Sequence, residues 1–296
     1  MTSSRKATIV STLTAVFLIV VKLVVGVLTG TISVIASAVD SGLDMVISLL
    51  NFFAIREAEK PFDKKYNYGR AKIESLASML EGLIIIGSGS FIIYTAIQKI
   101  INPQPLAFLQ YAILVMLLSM SITAFLVKYL NNVFSKTNSL IIQADLLHYK
   151  SDLYFNGGVL IALGIVYFTN LIIIDAIVSI LISIYIIYCA MELIKNGYFI
   201  VMDRSLDEDS VNHIKELIKD FNSKVMDFHS LRTRRSGNLC FIDVHIVFTK
   251  DILLQEAHQI SESLEKKIRE KLDCKCVMNI HLDPEDDEQK ELNNYL

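Results

Sequence analysis

Long apolar segments fill the chain up to about residue 200. Hydrophobic residues dominate six segments, each longer than the roughly 20 residues that a helix needs to cross a bilayer: 8–29, 31–55, 73–100, 107–133, 139–168 and 171–198. The prolines lie outside these segments, which fits helices that continue without a break. The pattern predicts an all-α membrane bundle of six transmembrane helices over residues 1–203.

The pattern of apolar residues changes after residue 203. Apolar residues recur at helical spacing over residues 211–221 and 253–268, but alternate as in strands in "FHSLRTRRSGNLCFIDVHIVF" and "CVMNIHLD". The alternation places His245 on the strand face opposite the apolar residues, and places His281 and Asp283 on one face. These patterns predict a cytosolic α+β domain over residues 204–296, with the element order α-β-β-α-β and an acidic tail.

Composition supports a membrane protein with a cytosolic part. The 296 residues are 53% hydrophobic and 20% charged, which is too apolar for one soluble domain of this length. The net charge is −3, and nothing suggests nucleic-acid binding. Lysine and arginine concentrate at the N-terminus and between the second and third segments, so the positive-inside rule places both termini in the cytosol.

The four cysteines are too few and too scattered for a disulfide framework, which fits a cytosolic domain in a reducing compartment. Cys274 and Cys276 could form a soft-metal pair. Because no second cysteine pair lies nearby in the sequence, we interpret them as ordinary strand and loop positions.

Two predicted membrane helices carry paired ionisable residues. Asp40 and Asp44 lie four residues apart in the second segment, and His148 and Asp152 lie four apart in the fifth, so each pair shares one helix face. A carboxylate at a helix centre costs about 2.5–3.5 kcal/mol in the membrane and normally has a partner. Any one of these residues could be a packing or water-contacting group. Together, three carboxylates and an imidazole favour a divalent metal ion, Zn²⁺ first, with Fe²⁺, Mn²⁺ or Cd²⁺ as alternatives.

The paired motifs, the six segments and the α-β-β-α-β domain resemble the cation diffusion facilitator family over residues 8–284. Further stretches that carry the resemblance are "YGRAKIESLA", "ADLLHYKSDLYFNGG", "DFHSLRTRRSG" and "HLDP". The resemblance implies a homodimer in the bacterial inner membrane that is a secondary transporter and not an enzyme. It would export divalent metal in exchange for protons, with His148 and Asp44 as the groups where metal and protons compete. Its cytosolic domain would be metallochaperone-like.

The resemblance also implies sites outside the membrane. A structural or regulatory zinc site near the dimer contact would use His229, His245, His258, His281 and Asp283. Lys72 and Asp203 would form an ion-pair interlock at the same contact. One member of the family carries a further zinc site between the second and third helices, but Tyr66 and Arg70 stand at its histidine positions here. We therefore expect that site to be absent and Asp63 to be a solvated loop charge.

Two other function classes remain at this stage. An intramembrane metallohydrolase would need a general base and a nucleophilic water, and the chain has neither an H-E-x-x-H nor a G-x-S-x-G motif. A metal sensor would use the cytosolic histidines alone and leave the intramembrane pairs without a purpose. The sequence does not assign partners to Glu81 or Lys22.

Overall fold

Six long helices precede a small mixed domain. The computed structural model describes residues 2–29, 32–101, 110–169, 173–237, 239–272 and 274–285. The helices are α1 (Ser3–Thr29), α2 (Ile32–Ala58), α3 (Lys72–Ile101), α4 (Gln110–Thr137), α5 (Leu140–Thr169) and α6 (Ile173–Val201). Among the described residues, α1, α3, α4 and α6 are long and apolar enough to cross a membrane. The predicted helical membrane domain is confirmed, and α2 and α5 are the helices that carry the paired ionisable residues.

Two compact units divide the chain, residues 1–198 and 199–296. In the first unit, side chains from α1, α2, α4 and α5 form one buried apolar cluster, in which Leu130, Ile141 and Ile142 are completely shielded from solvent. A second cluster joins α3, α5 and α6 around Ile186. The helices that carry the ionisable pairs are therefore held by packed neighbours.

Small residues let α6 approach the helices beside it. A Cβ atom at Gly82 of α3 would lie 2.7 Å from Ile194 Cγ1, and one at Gly158 of α5 would lie 2.5 Å from Ile182 Cδ1. Such close backbone approach through small residues is a common way for helices to pack in lipid.

The second unit contains α7 (Glu208–Lys219), β1 (Val225–Ser236), β2 (Leu239–Phe248), α8 (Leu254–Lys271) and β3 (Lys275–Pro284). The strand order is β1-β2-β3, with β1 and β2 antiparallel. β3 runs parallel to β2, because α8 carries the chain back to the other end of the sheet. Apolar side chains of β2, α7 and α8 form the core, and the predicted α-β-β-α-β order is confirmed.

Cys240 and Cys274 form a disulfide, with their Cα atoms 6.0 Å apart. The expectation that the cysteines are unpaired is therefore wrong for these two. They are separated by 34 residues, and only the pairing of β3 with β2 brings them together, since Cys240 lies opposite Cys276 in the register. Cys276 itself is free and buried, and burial raises the pKa of its thiol.

Candidate metal centres

A histidine and two aspartates meet between α2 and α5. His148 Nε2 lies 3.0 Å from Asp44 Oδ1. Asp152 completes the group, because one ligand atom from each of the three residues lies within 4.8 Å of the others. Ligand atoms around a tetrahedral zinc ion are about 3.3 Å apart. These partly buried side chains can therefore close on one divalent ion with small shifts.

Helical spacing explains how the two elements present this group. His148 and Asp152 are one turn apart on α5 and project from the same face, and α5 contacts α2. Asp40, the predicted fourth ligand, lies one turn before Asp44 in α2. The Asp40 side chain lies outside the described part of the structure, so its role stays a prediction.

Lys22 of α1 lies beside the same stretch of α2. Its Nζ donates a 2.7 Å hydrogen bond to the Oγ of Ser41, a residue that is 1% exposed. The sequence assigned no partner to this lysine. The structure places its positive charge against the turn of α2 that leads to Asp44.

A buried polar network that the sequence analysis missed adjoins this cluster. Its side-chain hydrogen bonds join four helices: Ser48 with Tyr149 (3.1 Å), Asn51 to Glu81 (2.9 Å) and Ser11 to Asp145 (2.5 Å). Glu81, which the sequence left unassigned, belongs to it. The signal for Asp145 was available, since this acid lies inside an apolar segment three residues before His148.

Three histidines and an aspartate form a second cluster in the cytosolic unit. The strand register pairs His229 with His245 and His245 with His281, so the three imidazoles lie in one row across the sheet. The Asp283 carboxylate contacts all three, at 3.3 Å from His229 Nε2, 3.0 Å from His245 Nδ1 and 3.1 Å from His281 Nε2. His229, His245 and Asp283 also offer ligand atoms within 4.8 Å of one another.

A β-bulge positions His229. The register of β1 against β2 shifts between His229 and Arg232, and Ser230 has a φ of 51°. A non-glycine residue in this region is uncommon, and bulges often redirect a neighbouring side chain beside a functional site. His229 Nδ1 is buried and has no hydrogen-bond partner among the described residues. A partly buried imidazole that faces a carboxylate fits a metal ligand set, since zinc takes both ligand types.

The structure does not bring His258 into this cluster. Its Nε2 lies 3.4 Å from Glu262 on α8, and its side chain is 66% exposed. Its role as a ligand stays a prediction. Asp203, the predicted partner of Lys72, accepts a 3.3 Å hydrogen bond from Arg234, and the interlock also stays a prediction.

Asp63 is an exposed loop residue, as the sequence analysis expected, with 41% of its side chain exposed, but its carboxylate also has partners within the loop. Its carboxylate accepts 2.8 Å hydrogen bonds from the backbone N–H groups of Lys65 and Tyr66, and it forms an ion pair with Arg70. The bond from Tyr66 N–H, with those from Lys65 and Arg70, lowers the pKa of Asp63. The Arg70 guanidinium also lies 4.3 Å from the centre of the Tyr66 ring. The residues at the family's histidine positions thus tie the loop together by an ion pair and a cation–π contact.

Comparison with known proteins identifies the family. The "Cation efflux transmembrane domain" matches residues 8–202, and the "Cation efflux protein, cytoplasmic domain" matches residues 206–285. Relatives named "Cation-efflux pump FieF" include one from Pectobacterium atrosepticum, 34% identical over 82% of this chain and 80% of its own length. Those from Cronobacter sakazakii (33% identical, 94% and 92%) and Shewanella oneidensis (34% identical, 93% and 92%) cover more.

A solved structure of CzrB is 27% identical, and the overlap covers 27% of this chain and 98% of that one, with a TM-score of 0.26. At this score the overlap supports no statement about fold or function. The domain matches span both units, and the relatives align over most of their length. The chain is a multi-pass membrane transporter, not an enzyme, and belongs to the cation efflux family.

Proposed function

We propose that this protein exports divalent metal ions from the cytosol in exchange for protons, with Zn²⁺ as the main cargo. The observation that supports this most directly is the cluster of Asp44, His148 and Asp152 between α2 and α5. Its mixed oxygen and nitrogen ligands suit Zn²⁺ and also accept Cd²⁺, Fe²⁺ or Mn²⁺. Asp40, one turn from Asp44, would be the fourth ligand.

Exchange follows from the chemistry of these ligands. Imidazole and carboxylate groups bind metal only when deprotonated, so metal binding releases protons and acid releases metal. The contact between His148 and Asp44 supports these two residues as the exchange pair, because histidine changes charge between pH 5 and 8. Alternating access would load metal from the cytosol and let protons displace it on the other side.

The proposal also covers the oligomeric state, membrane and orientation of the transporter. It would act as a homodimer in the inner membrane of a bacterium, with both termini and residues 204–296 in the cytosol. Lys72 and Asp203 would form the interlock below the membrane.

The cytosolic cluster would hold resident zinc that regulates transport and is not cargo. His229, His245, His281 and Asp283 would be its ligands, supported by their contacts across the sheet. His258 would join them only if the side chain turns away from Glu262. Zinc would supply a cross-link between strands β1, β2 and β3.

Flux through a sealed bilayer tests the proposal. The purified protein, reconstituted into proteoliposomes with an internal metal indicator, should move Zn²⁺ under an imposed pH gradient and should move fewer ions when the gradient is absent. The flux of Fe²⁺, Mn²⁺ and Cd²⁺ is measured in the same way, and the four rates show which metal ion the protein transports fastest. Metal binding without flux would favour a metal sensor over a transporter. Flux that does not depend on the pH gradient would exclude exchange of metal for protons.

A further inference from the structure

Two carboxyl groups, Glu81 of α3 and Asp145 of α5, lie in the interior of the first unit. Glu81 is 2% exposed and Asp145 is 0% exposed, and the two groups are close enough to interact electrostatically. Asp145 precedes His148 by three residues, about 4.5 Å along the helix axis at 1.5 Å per residue. The carboxyl pair is therefore adjacent to the proposed cargo site, and neither residue is among its ligands.

Among the described residues, each carboxyl group has one oxygen bonded to a neutral donor and one oxygen without a hydrogen-bond partner. Asn51 Nδ2 donates to Glu81 Oε2 at 2.9 Å, and Ser11 Oγ donates to Asp145 Oδ2 at 2.5 Å. Asn51 also lies close enough to Asp145 to favour its ionised form. Glu81 Oε1 and Asp145 Oδ1 are buried and have no hydrogen-bond partner among the described residues. A buried polar atom without a hydrogen-bond partner costs free energy. We therefore expect a further hydrogen-bond donor, beyond the side chains named above, to satisfy the two oxygens.

The charges around the pair do not balance two carboxylates. Among the described residues, the charged or titratable groups that interact with them are His148, Asp44 and Tyr149. Only His148 can be positive, and it already contacts Asp44 at 3.0 Å. α1 and α2 otherwise contribute neutral groups to the hydrogen bonds of the pair. Two neighbouring buried carboxyl groups without a cation hold a proton, because like charges at this depth cannot both ionise.

We propose that Glu81 and Asp145 form a proton-binding site, separate from the metal ligands, that keeps one shared proton while metal occupies the cargo site. If the proton lies between Glu81 Oε1 and Asp145 Oδ1, the O–H group of one carboxyl donates a hydrogen bond to the other, and both oxygens gain a partner. A metal ion fits less well, because the Asn51 N–H group points at Glu81 and would face the cation. The proposal goes beyond the proposed function, since it holds for the protein in detergent whether or not it transports metal.

Infrared spectroscopy of the full-length, Zn²⁺-saturated protein at neutral pH tests this proposal. Carboxyl ligands of the metal are deprotonated in that state, and exposed acids, with pKa values of about 4, are ionised. A protonated carboxylic acid therefore has to come from a site such as the pair. We expect one C=O stretching band of a carboxylic acid that shifts in D₂O. Absence of this band in the wild type would overturn the proposal without any variant.

The isosteric double variant Glu81→Gln with Asp145→Asn assigns the band. We expect it to lose the band entirely while its Zn²⁺ affinity stays within about threefold of the wild type. The control Glu192→Gln removes an exposed carboxylate of α6 and should keep the full band. A band that persists in a folded double variant would overturn the assignment. Loss of one bound Zn²⁺ per chain would show that the pair holds metal instead of a proton.

If the double variant does not fold, ¹³C labelling of the Glu and Asp carboxyl groups assigns the band in the wild type. A band that shifts with neither label overturns the proposal.

Discussion

Asp152 is the residue of the proposed cargo site whose loss should be the most informative. It supplies a carboxylate within 4.8 Å of Asp44 and His148, and its replacement by alanine removes one of the few charges that balance a dication. We expect Asp152→Ala to lower metal flux in proteoliposomes at least about a hundredfold, since even supporting residues of metal sites cost 10–100-fold in affinity.

The control for Asp152 is Glu192→Ala, which removes an exposed acid from α6 and should leave flux unchanged. Both variants are compared at equal amounts of folded protein. Wild-type flux in Asp152→Ala would remove this residue from the ligand set.

The hydrogen bonds and the ion pair of Asp63 predict that the stability of its loop depends on pH. Because the pKa of Asp63 is lowered in the folded loop, its hydrogen bonds from Tyr66 and Lys65 and its ion pair with Arg70 stabilise the loop above the usual pKa of aspartate, about 3.9. The stabilisation is lost as the pH falls through the lowered value. We expect the amide protons of Lys65 and Tyr66, which donate to Asp63, to be protected from exchange at neutral pH and to lose that protection in Asp63→Ala, which removes the acceptor.

A chelator separates this ion pair from a metal site in the same loop. Protection at Lys65 and Tyr66 should not change on addition of EDTA. The control Asp209→Ala, an exposed change on α7, should likewise leave protection of the loop unchanged. Loss of protection with EDTA would show that the loop binds metal after all.

The residues that the sequence predicted are defined by local spacing, whereas the residue that it missed is defined by interactions between helices. Asp44, His148 and Asp152 stand out because an i, i+4 spacing defines a helix face without knowledge of the fold. Asp145 is also an ionisable residue in an apolar segment, but its surroundings depend on a hydrogen bond from Ser11 and an electrostatic interaction with Glu81, both on other helices. No spacing along one helix predicts those contacts.

Helix α3 offers a matched test of packing against α6. A methyl group at Gly82 would lie 2.7 Å from Ile194 Cγ1, whereas one at Gly87 would meet nothing within 4 Å. Alanine in place of glycine favours a helix by roughly 0.5–1 kcal/mol, but overpacking a tight contact costs about 1–3 kcal/mol. We expect Gly82→Ala to lower the melting temperature in detergent and Gly87→Ala to raise or preserve it. Equal shifts would mean that α3 and α6 do not approach closely at Gly82.

The three strands of the cytosolic unit make a prediction about metal. His229, His245 and His281 come from different strands and meet only in the folded sheet. A ligand that binds only the folded form stabilises it by about 2.7 kcal/mol at one hundred times its dissociation constant. The fragment from residue 205 onward should therefore melt on the order of 10 °C higher with saturating Zn²⁺.

The double change His245→Ala with Asp283→Ala should remove most of this shift, and His213→Ala on the exposed face of α7 should keep it. Oxidised and reduced fragments are measured separately, because the Cys240–Cys274 disulfide also joins β2 to the chain before β3. A full shift in the double variant would exclude this cluster as the stabilising site.

At the scale of the whole molecule, the sequence predicts the architecture better than the contacts. Long apolar segments and alternating strands define the six helices and the α-β-β-α-β order because each pattern is local. The Cys240–Cys274 disulfide depends on the parallel pairing of β2 and β3, and the Asp63 ion pair depends on a loop that folds back on itself. Neither follows from periodicity, so the sequence analysis predicted neither the pairing of the two cysteines nor the partners of Asp63.

The two candidate metal clusters lie in different units of the chain, residues 1–198 and 199–296, and this separation gives a prediction for transport. His245→Ala with Asp283→Ala in the full-length protein leaves every proposed cargo ligand intact. If resident zinc biases the equilibrium between transport states, its loss changes how strongly that equilibrium favours the metal-binding state. A coupling energy of about 1 kcal/mol would weaken the apparent metal affinity in the flux assay roughly fivefold. Maximal flux should remain measurable, in contrast to Asp152→Ala. Complete loss of flux in a folded, inserted protein would place cargo in the cytosolic cluster, and wild-type affinity would show that this cluster does not regulate transport.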